Sequence, residues 1–145
     1  MPTEASRIIN GTFTEVWCDG EYIADAYGVQ AKVSINKSSI NQCGRLATGK
    51  KMVSTEGTGS LRIYKTNSKN IQRMAIVKNG KMPVFTLITK VADPDSMGAE
   101  RIMLTGVTFD DITLADYEAA TESKLEMPFT FDDYEPIDTI ESEEM

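Results

Sequence analysis

Residue types that carry enzyme chemistry are thin in this chain. It has no histidine, which removes the commonest general base and the commonest nitrogen ligand for a metal. A Ser-His-Asp hydrolytic arrangement is excluded with it. Cys18 and Cys43 are the only cysteines, too few for a structural zinc centre, and they read as reduced thiols. GTGS at 57–60 lacks the lysine and the strand-loop-helix setting of a phosphate loop. It reads instead as a permissive bend. The carboxylate pairs Asp110-Asp111 and Asp132-Asp133 lack the ligand spacing of a calcium loop and read as solvated loop charge. No cofactor or metal is expected.

What remains is a stretch suited to contact rather than catalysis. Ile40 to Lys65 is INQCGRLATGKKMVSTEGTGSLRIYK, with Gly44, Gly49, Gly57 and Gly59 and the basic residues Arg45, Lys50 and Lys51 in its first twenty positions. Its outer part is too poor in apolar residues to fold back onto a core, so it reads as an extended arm that orders against something else. Without interleaved aromatics, the three basic residues are a thin footprint for nucleic acid. A protein contact or simple solubility accounts for them better.

The elements that carry the arm can be read in order. Residues 1–12 form a polar arm with Ile8 and Ile9 as anchors. TEVWC and EYIAD flank Asp19-Gly20, a two-residue turn that marks a hairpin. Val29, Ala31, Val33 and Ile35 then alternate with Gln30, Lys32, Ser34 and Asn36, which gives a strand with one apolar and one wet face. Leu61, Ile63 and Lys65 alternate with Arg62 and Tyr64 on the return from the arm, so the two strands are expected to be antiparallel neighbours.

Ser68 is expected to cap a helix through KNIQRMAIVKN that stops at Gly80. Its apolar stripe would be Ile71, Met74 and Ala75, widened by Ile76 and Val77. Strands are expected over VFTLITKVA and ERIMLTGVTF, joined by a turn at DPDSMGA. TLADYEAATESK reads as a single helical turn or a loop. Leu125, Met127, Phe129 and Phe131 form the apolar row of a last strand, with Pro128 at an edge or bulge. Trp17, Phe129 and Phe131, with Tyr134 beyond, read as core and rim. About seven strands and one helix give a mainly β body, an antiparallel β-sandwich or partly open barrel carrying a long hairpin arm.

The chain has 145 residues and a formal net charge of -7, and the length suits one domain. All of the excess acid lies after residue 131: Asp132, Asp133, Glu135, Asp138, Glu141, Glu143 and Glu144. Residues 1–131 therefore read as one β domain with an arm inserted at 37–60, and 132–145 as an acidic tail. Two readings of the tail stand open, a disordered solubiliser and a segment that docks on a basic surface. The N-terminus lacks a basic start followed by an apolar run, and no apolar run approaches the ~20 residues of a membrane helix. A soluble cytoplasmic protein without a membrane anchor is expected.

Three segments in order, VWCDGEYIAD, CGRLATGKKMVSTEGTGSLRIYKTNSK and PFTFDDYE, resemble the tail tube proteins of contractile phages. The similarity is to the branch found in Gram-positive phages, defective prophages and phage-tail-like (R-type) bacteriocins. It spans nearly the whole chain, departing after Tyr134. The resemblance implies a structural subunit whose hexameric rings stack into a tube, with strands of every subunit joining one continuous inner β-barrel. Gln30, Lys32, Ser34 and Asn36 would face the lumen, which would pass DNA without sequence recognition, or ions. The helix, with Lys69, Arg73 and Lys78, would face a contractile sheath. Gly44, Arg45, Gly49, Lys50, Lys51, Gly57 and Gly59 would form a joint to the next ring, and Asp132, Asp133 and Glu135 an acidic contact. Other implied partners are baseplate, tape-measure and tail terminator proteins, and the implied location is a tail particle assembled in the bacterial host. The alternative from the residues alone is a monomeric β-sandwich binding module with the Gly/Lys-rich stretch as its ligand loop.

Overall fold

The computed structural model describes residues 5–94 and 98–140. Asp19 and Gly20 both hold positive φ, 50° and 83°, as the two-residue turn requires. They join β1 (Thr14–Cys18) to a β2 of only two residues (Glu21–Tyr22). The turn is pinned to the neighbouring strand: Asp19 N–H donates to the Thr86 carbonyl at 2.9 Å, and Thr86 N–H donates to Asp19 Oδ1 at 2.8 Å.

The long strands follow, β3 (Ala26–Ile40) and β4 (Gly49–Tyr64), then α1 (Lys69–Arg73), β5 (Phe85–Val91), β6 (Glu100–Phe109), β7 (Lys124–Phe131) and β8 (Asp133–Asp138). They form one antiparallel path in the order β2-β1-β5-β6-β7-β4-β3, with β8 also on β6. The path is not closed into a barrel. The chain from β7 into β8 runs along one side of β6, Thr130 opposite Thr108 and Asp133 opposite Thr105. Between them Gly106 takes φ 66° with Asp132 lying across it, and the strand bends there.

A single apolar cluster sits where the path wraps over itself. Phe129, Leu61, Leu87, Leu104 and Val107 are fully buried at its centre, with Val16, Cys18, Ile63, Met74 and Phe109 around them. Burying a side chain of this size contributes about 1.5–3 kcal/mol. Leu125, Met127, Phe129 and Phe131 all point inward, as their alternation predicts. Pro128 lies where β7 has just left the β6 ladder, its carbonyl accepting the Asp110 N–H at 2.9 Å. The 110–123 connection is a loop.

Several expectations are corrected. The helix is broken: α1 ends at Arg73, Met74 takes φ -93° and ψ 6°, and a 3-10 turn continues over Ala75–Asn79 to a left-handed Gly80. Of the expected stripe only Met74 is buried, so little apolar packing supports a longer α-helix. Ser68 makes no capping bond; Asn67 Oδ1 accepts the Lys69 N–H at 3.0 Å instead. GTGS is no bend but the middle of β4, paired with β3 on one side and β7 on the other. Ile8 and Ile9 anchor nothing and are exposed, and the N-terminal segment is held by Asn10 N–H donating to Asp93 Oδ2 at 2.8 Å. Within the acidic segment, Asp133–Asp138 is a strand, while Glu141, Glu143 and Glu144 lie outside the described residues. The DPDSMGA turn falls partly outside them, at 95–97.

Candidate functional site

The β3-β4 ladder runs from Ala26↔Ile63 to Ile40↔Gly49. β7 flanks β4 only as far as Gly57↔Phe131. Beyond that point the two strands project as a free ribbon. At about 3.4 Å per residue, the eight steps from Gly57 to Gly49 carry the tip roughly 27 Å outward.

Side chains directly opposite one another share a face, so the register assigns both sides of the sheet. Gln30, Lys32, Ser34 and Asn36 lie opposite Ser60, Thr58, Glu56 and Ser54, and all four β3 residues are exposed. Asn36 Nδ2 donates to Ser54 Oγ at 2.9 Å. The polar face continues onto β7 through Glu126, opposite Arg62, and Thr130, opposite Thr58. It reaches β6 where the Thr130 and Thr108 hydroxyls sit 3.0 Å apart. Tyr27 and Tyr64 close its inner end with ring centroids 4.7 Å apart, and the Lys124 ammonium lies over both rings. A hydrogen bond to Glu122 holds that ammonium's pKa above its ordinary value.

Sequence reasoning identified only the β3 row of this surface. The polar rows of β4 and β7 were visible as alternation, but which row joins which depends on register. Charges alternate across the face, Lys32 and Arg62 against Glu56 and Glu126.

On the opposite face Val29, Ala31, Val33 and Ile35 run above Leu61, Gly59, Gly57 and Thr55. Gly57 and Gly59 serve space rather than flexibility. A Cβ on Gly57 would lie 2.5 Å from Phe131 Cε2, and one on Gly59 would lie 2.6 Å from Phe129 Cζ. The two rings lie flush on the β4 backbone and fix the root of the arm. Farther out nothing covers the apolar row, and Val33 is 37 % and Ile35 54 % exposed.

A bulge at Val53 shifts the register between Asn36↔Ser54 and Lys37↔Met52, and beyond it Lys50 and Lys51, as neighbours on one strand, point to opposite faces. Lys50 Nζ donates to Ser39 Oγ at 2.7 Å. The tip, 41–48, is closed by Thr48 Oγ1 donating to Asn41 Oδ1 at 3.2 Å and by Arg45 N–H donating to the Gln42 carbonyl at 3.3 Å. Gly44 there needs its left-handed φ of 77°, whereas Gly49 is an ordinary ladder residue. Leu46 stands fully exposed at the end.

The other residues singled out from the sequence lie in two places. Lys69 Nζ and Arg73 Nη2 both bind Glu21, at 2.7 and 2.9 Å, and Lys78 is exposed on the 3-10 turn. Hydrogen bonds from Lys69 and then Arg73 hold the Glu21 carboxyl below its ordinary range. Asp132 N–H donates to the Thr105 carbonyl at 3.0 Å, and Asp133 and Glu135 lie on β8 opposite Thr105 and Met103. All three are exposed.

Among the described residues no group of acids and cysteines is placed to hold a metal ion, and no helix is long and apolar enough to cross a membrane. Cys18 is buried and free, and burial pushes its thiol up to about 11. A thiol that protonated is a poor nucleophile. Cys43 is exposed at the arm tip.

Known proteins bear on this directly. A family model described as phage tail tube protein matches residues 1–138. The phage-like element PBSX protein XkdM of Bacillus subtilis (strain 168) is 37% identical over 138 residues, covering 93% of this chain and 94% of that protein. The uncharacterized protein YqbM of the same strain is 35% identical over 145 residues, covering 98% of this chain and 99% of that one.

Solved structures share the fold. A chain from the sheath-tube complex of an extracellular contractile injection system, PVC, in the extended state aligns with a TM-score of 0.72 at 11% identity, over 94% of this chain and 100% of that one. A chain from the tube terminating cap of the anti-feeding prophage aligns with a TM-score of 0.74 at 7% identity, over 99% of this chain and 95% of that one. The resemblance carried by the arm, the Asp-Gly hairpin and PFTFDDYE holds over the whole fold, and the chain belongs to the phage tail tube protein family, whose members are structural.

Proposed function

We propose that copies of this chain close into hexameric rings that stack into the rigid inner tube of a contractile tail or tail-like particle. The polar face of β3, β4 and β7 lines the bore. The arm crosses to the next ring, and α1 with its 3-10 turn faces outward toward a sheath. The tube is a passive conduit for DNA or ions and the piercing element when the sheath contracts. Baseplate, tape-measure and terminator proteins set its ends, and the particle assembles in the bacterial host.

The observation that carries this reading is β3 and the ribbon it belongs to. It is a 15-residue edge strand, outermost in the sheet, with an uncovered apolar row on one face and a polar row on the other. A free edge of that length exposes a template of backbone donors and acceptors, and joining strands between subunits removes it. A ring contact closes, while a ring-to-ring contact does not close and therefore propagates a filament. A bore whose charges alternate in sign offers no continuous basic track for phosphate, so a polymer slides rather than binds.

The test trims the ribbon symmetrically. Replacing residues 37–53 by an Asn-Gly turn between Asn36 and Ser54 keeps every strand pair of the body. Light scattering and negative-stain imaging, with a preassembled tail template supplied, are expected to show tubes from the native protein and only single subunits from the trimmed one. Tubes of normal length from the trimmed protein overturn the reading.

A further inference from the structure

Beside the 3-10 turn lies an open groove of about 570 Å³, lined by the buried Met74 and Phe109 and by the exposed Val77, Met82 and Leu114. Asp110 and Asp111 stand on its rim, and Lys81 also lines it. Neither carboxylate is in an ion pair among the described residues. The loop they open, 110–123, holds Asp110, Asp111, Asp116, Glu118 and Glu122 and no basic residue.

The arm tip has the complementary make-up. From Ile40 to Met52 it carries Arg45, Lys50 and Lys51 and no acid. Leu46, its outermost apolar side chain, touches nothing that covers it in its own chain. A single exposed leucine is ordinary on a surface. What points to a partner here is its place at the end of a ribbon whose tip carries only basic charge, opposite in sign to the rim of the groove, and opposite charge around both surfaces sets how they meet.

We propose that the arm tip of one copy seats Leu46 in this groove on a second copy, with Arg45 turned toward Asp110 and Asp111. The inference rests on the stacked-tube reading and adds where the arm lands. It gives the loop after β6 a role as receptor and places the anchor in the one residue of 41–48 with an apolar side chain larger than alanine or cysteine. Joined in this way, each subunit both offers a knob and supplies a groove, so the contact repeats along the stack without closing.

The test measures the lowest protein concentration that yields sedimentable tubes. Leu46→Ser is expected to raise it about tenfold or more, the loss of one buried leucine from an interface. Arg45→Asp alone, and Asp110→Lys with Asp111→Lys, are each expected to raise it. The three changes together are expected to restore it to within about twofold of the native value, since opposite reversals compensate only for groups that meet. All of these positions are on the surface, and an unchanged melting temperature of each monomer separates assembly from folding.

Tubes from Leu46→Ser protein at the native concentration overturn the inference, as does a combined variant no better than the single ones. A groove reversal that leaves tubes intact but strips another tail protein from them gives the groove to a different occupant and overturns it too. In each case native tubes still form and the tube reading survives. Failure of the native protein to form tubes on any template sinks both.

Discussion

The inner and outer halves of the β3-β4 ladder share one alternating pattern and differ in what lies against it. Inside Gly57, β4 is paired on both sides and Phe129 and Phe131 lie on its backbone. Outside it, the same ribbon has no third strand and no layer above, and Val33 and Ile35 face solvent. Both halves satisfy the hydrogen bonds between their two strands. Only the inner half buries a face. Stability therefore resides in the body, while the outer half keeps surface for another chain.

That contrast can be broken or sharpened by substitution. The largest effect is expected at the root: Phe129→Ala removes a fully buried ring and should cost about 3–5 kcal/mol in urea unfolding, with assembly lost as a consequence. A smaller and selective effect is expected on the ribbon. Ile35→Ser should leave monomer unfolding within about 0.5 kcal/mol of the native value yet raise the concentration needed for tubes severalfold. Equal effects of Ile35→Ser on folding and assembly would erase the distinction between the halves.

The smallest effect belongs to the far edge of the body. Glu21 sits between Lys69 and Arg73, and its carboxyl is held below the ordinary value of 4.5. A depressed carboxylate contributes stability that is present above its unfolded pKa and is lost as pH falls through the folded one. The Glu21→Gln variant should therefore melt slightly below the native protein at pH 7, the gap narrowing below about pH 4.5. A gap that widens in acid would contradict the ion pairs. The pair is exposed, so salt should reduce the difference as well.

Much of this architecture was legible in the residues. Asp19-Gly20 announced its hairpin because few sequences tolerate two positive φ values in succession. ERIMLTGVTF announced its strand as the partner of VFTLITKVA across a turn, the Leu125 to Phe131 row announced its strand by alternation, and the outer part of the arm showed itself by its lack of apolar content.

What was not legible depends on partners distant in sequence. Gly57 and Gly59 read as flexibility because the rings that require them belong to a strand some seventy residues later. β8 reads as part of a tail because of its acids, and Pro136 hides the strand further. It pairs only with β6, at a register shift opposite Ile102, and an edge strand tolerates both features. The helix read too long because a 3.6-residue pattern over Ile71 to Val77 does not reveal that only Met74 has a core to face.

The most direct measurement is a reconstruction of tubes assembled from the purified protein. Six copies per ring are expected, with Gln30, Lys32, Ser34 and Asn36 facing the bore, β3 paired along its free edge by a neighbouring subunit, and Val33 and Ile35 covered. A tube whose bore is lined by another surface, or in which the outer edge of β3 and its apolar row remain in solvent, would contradict it.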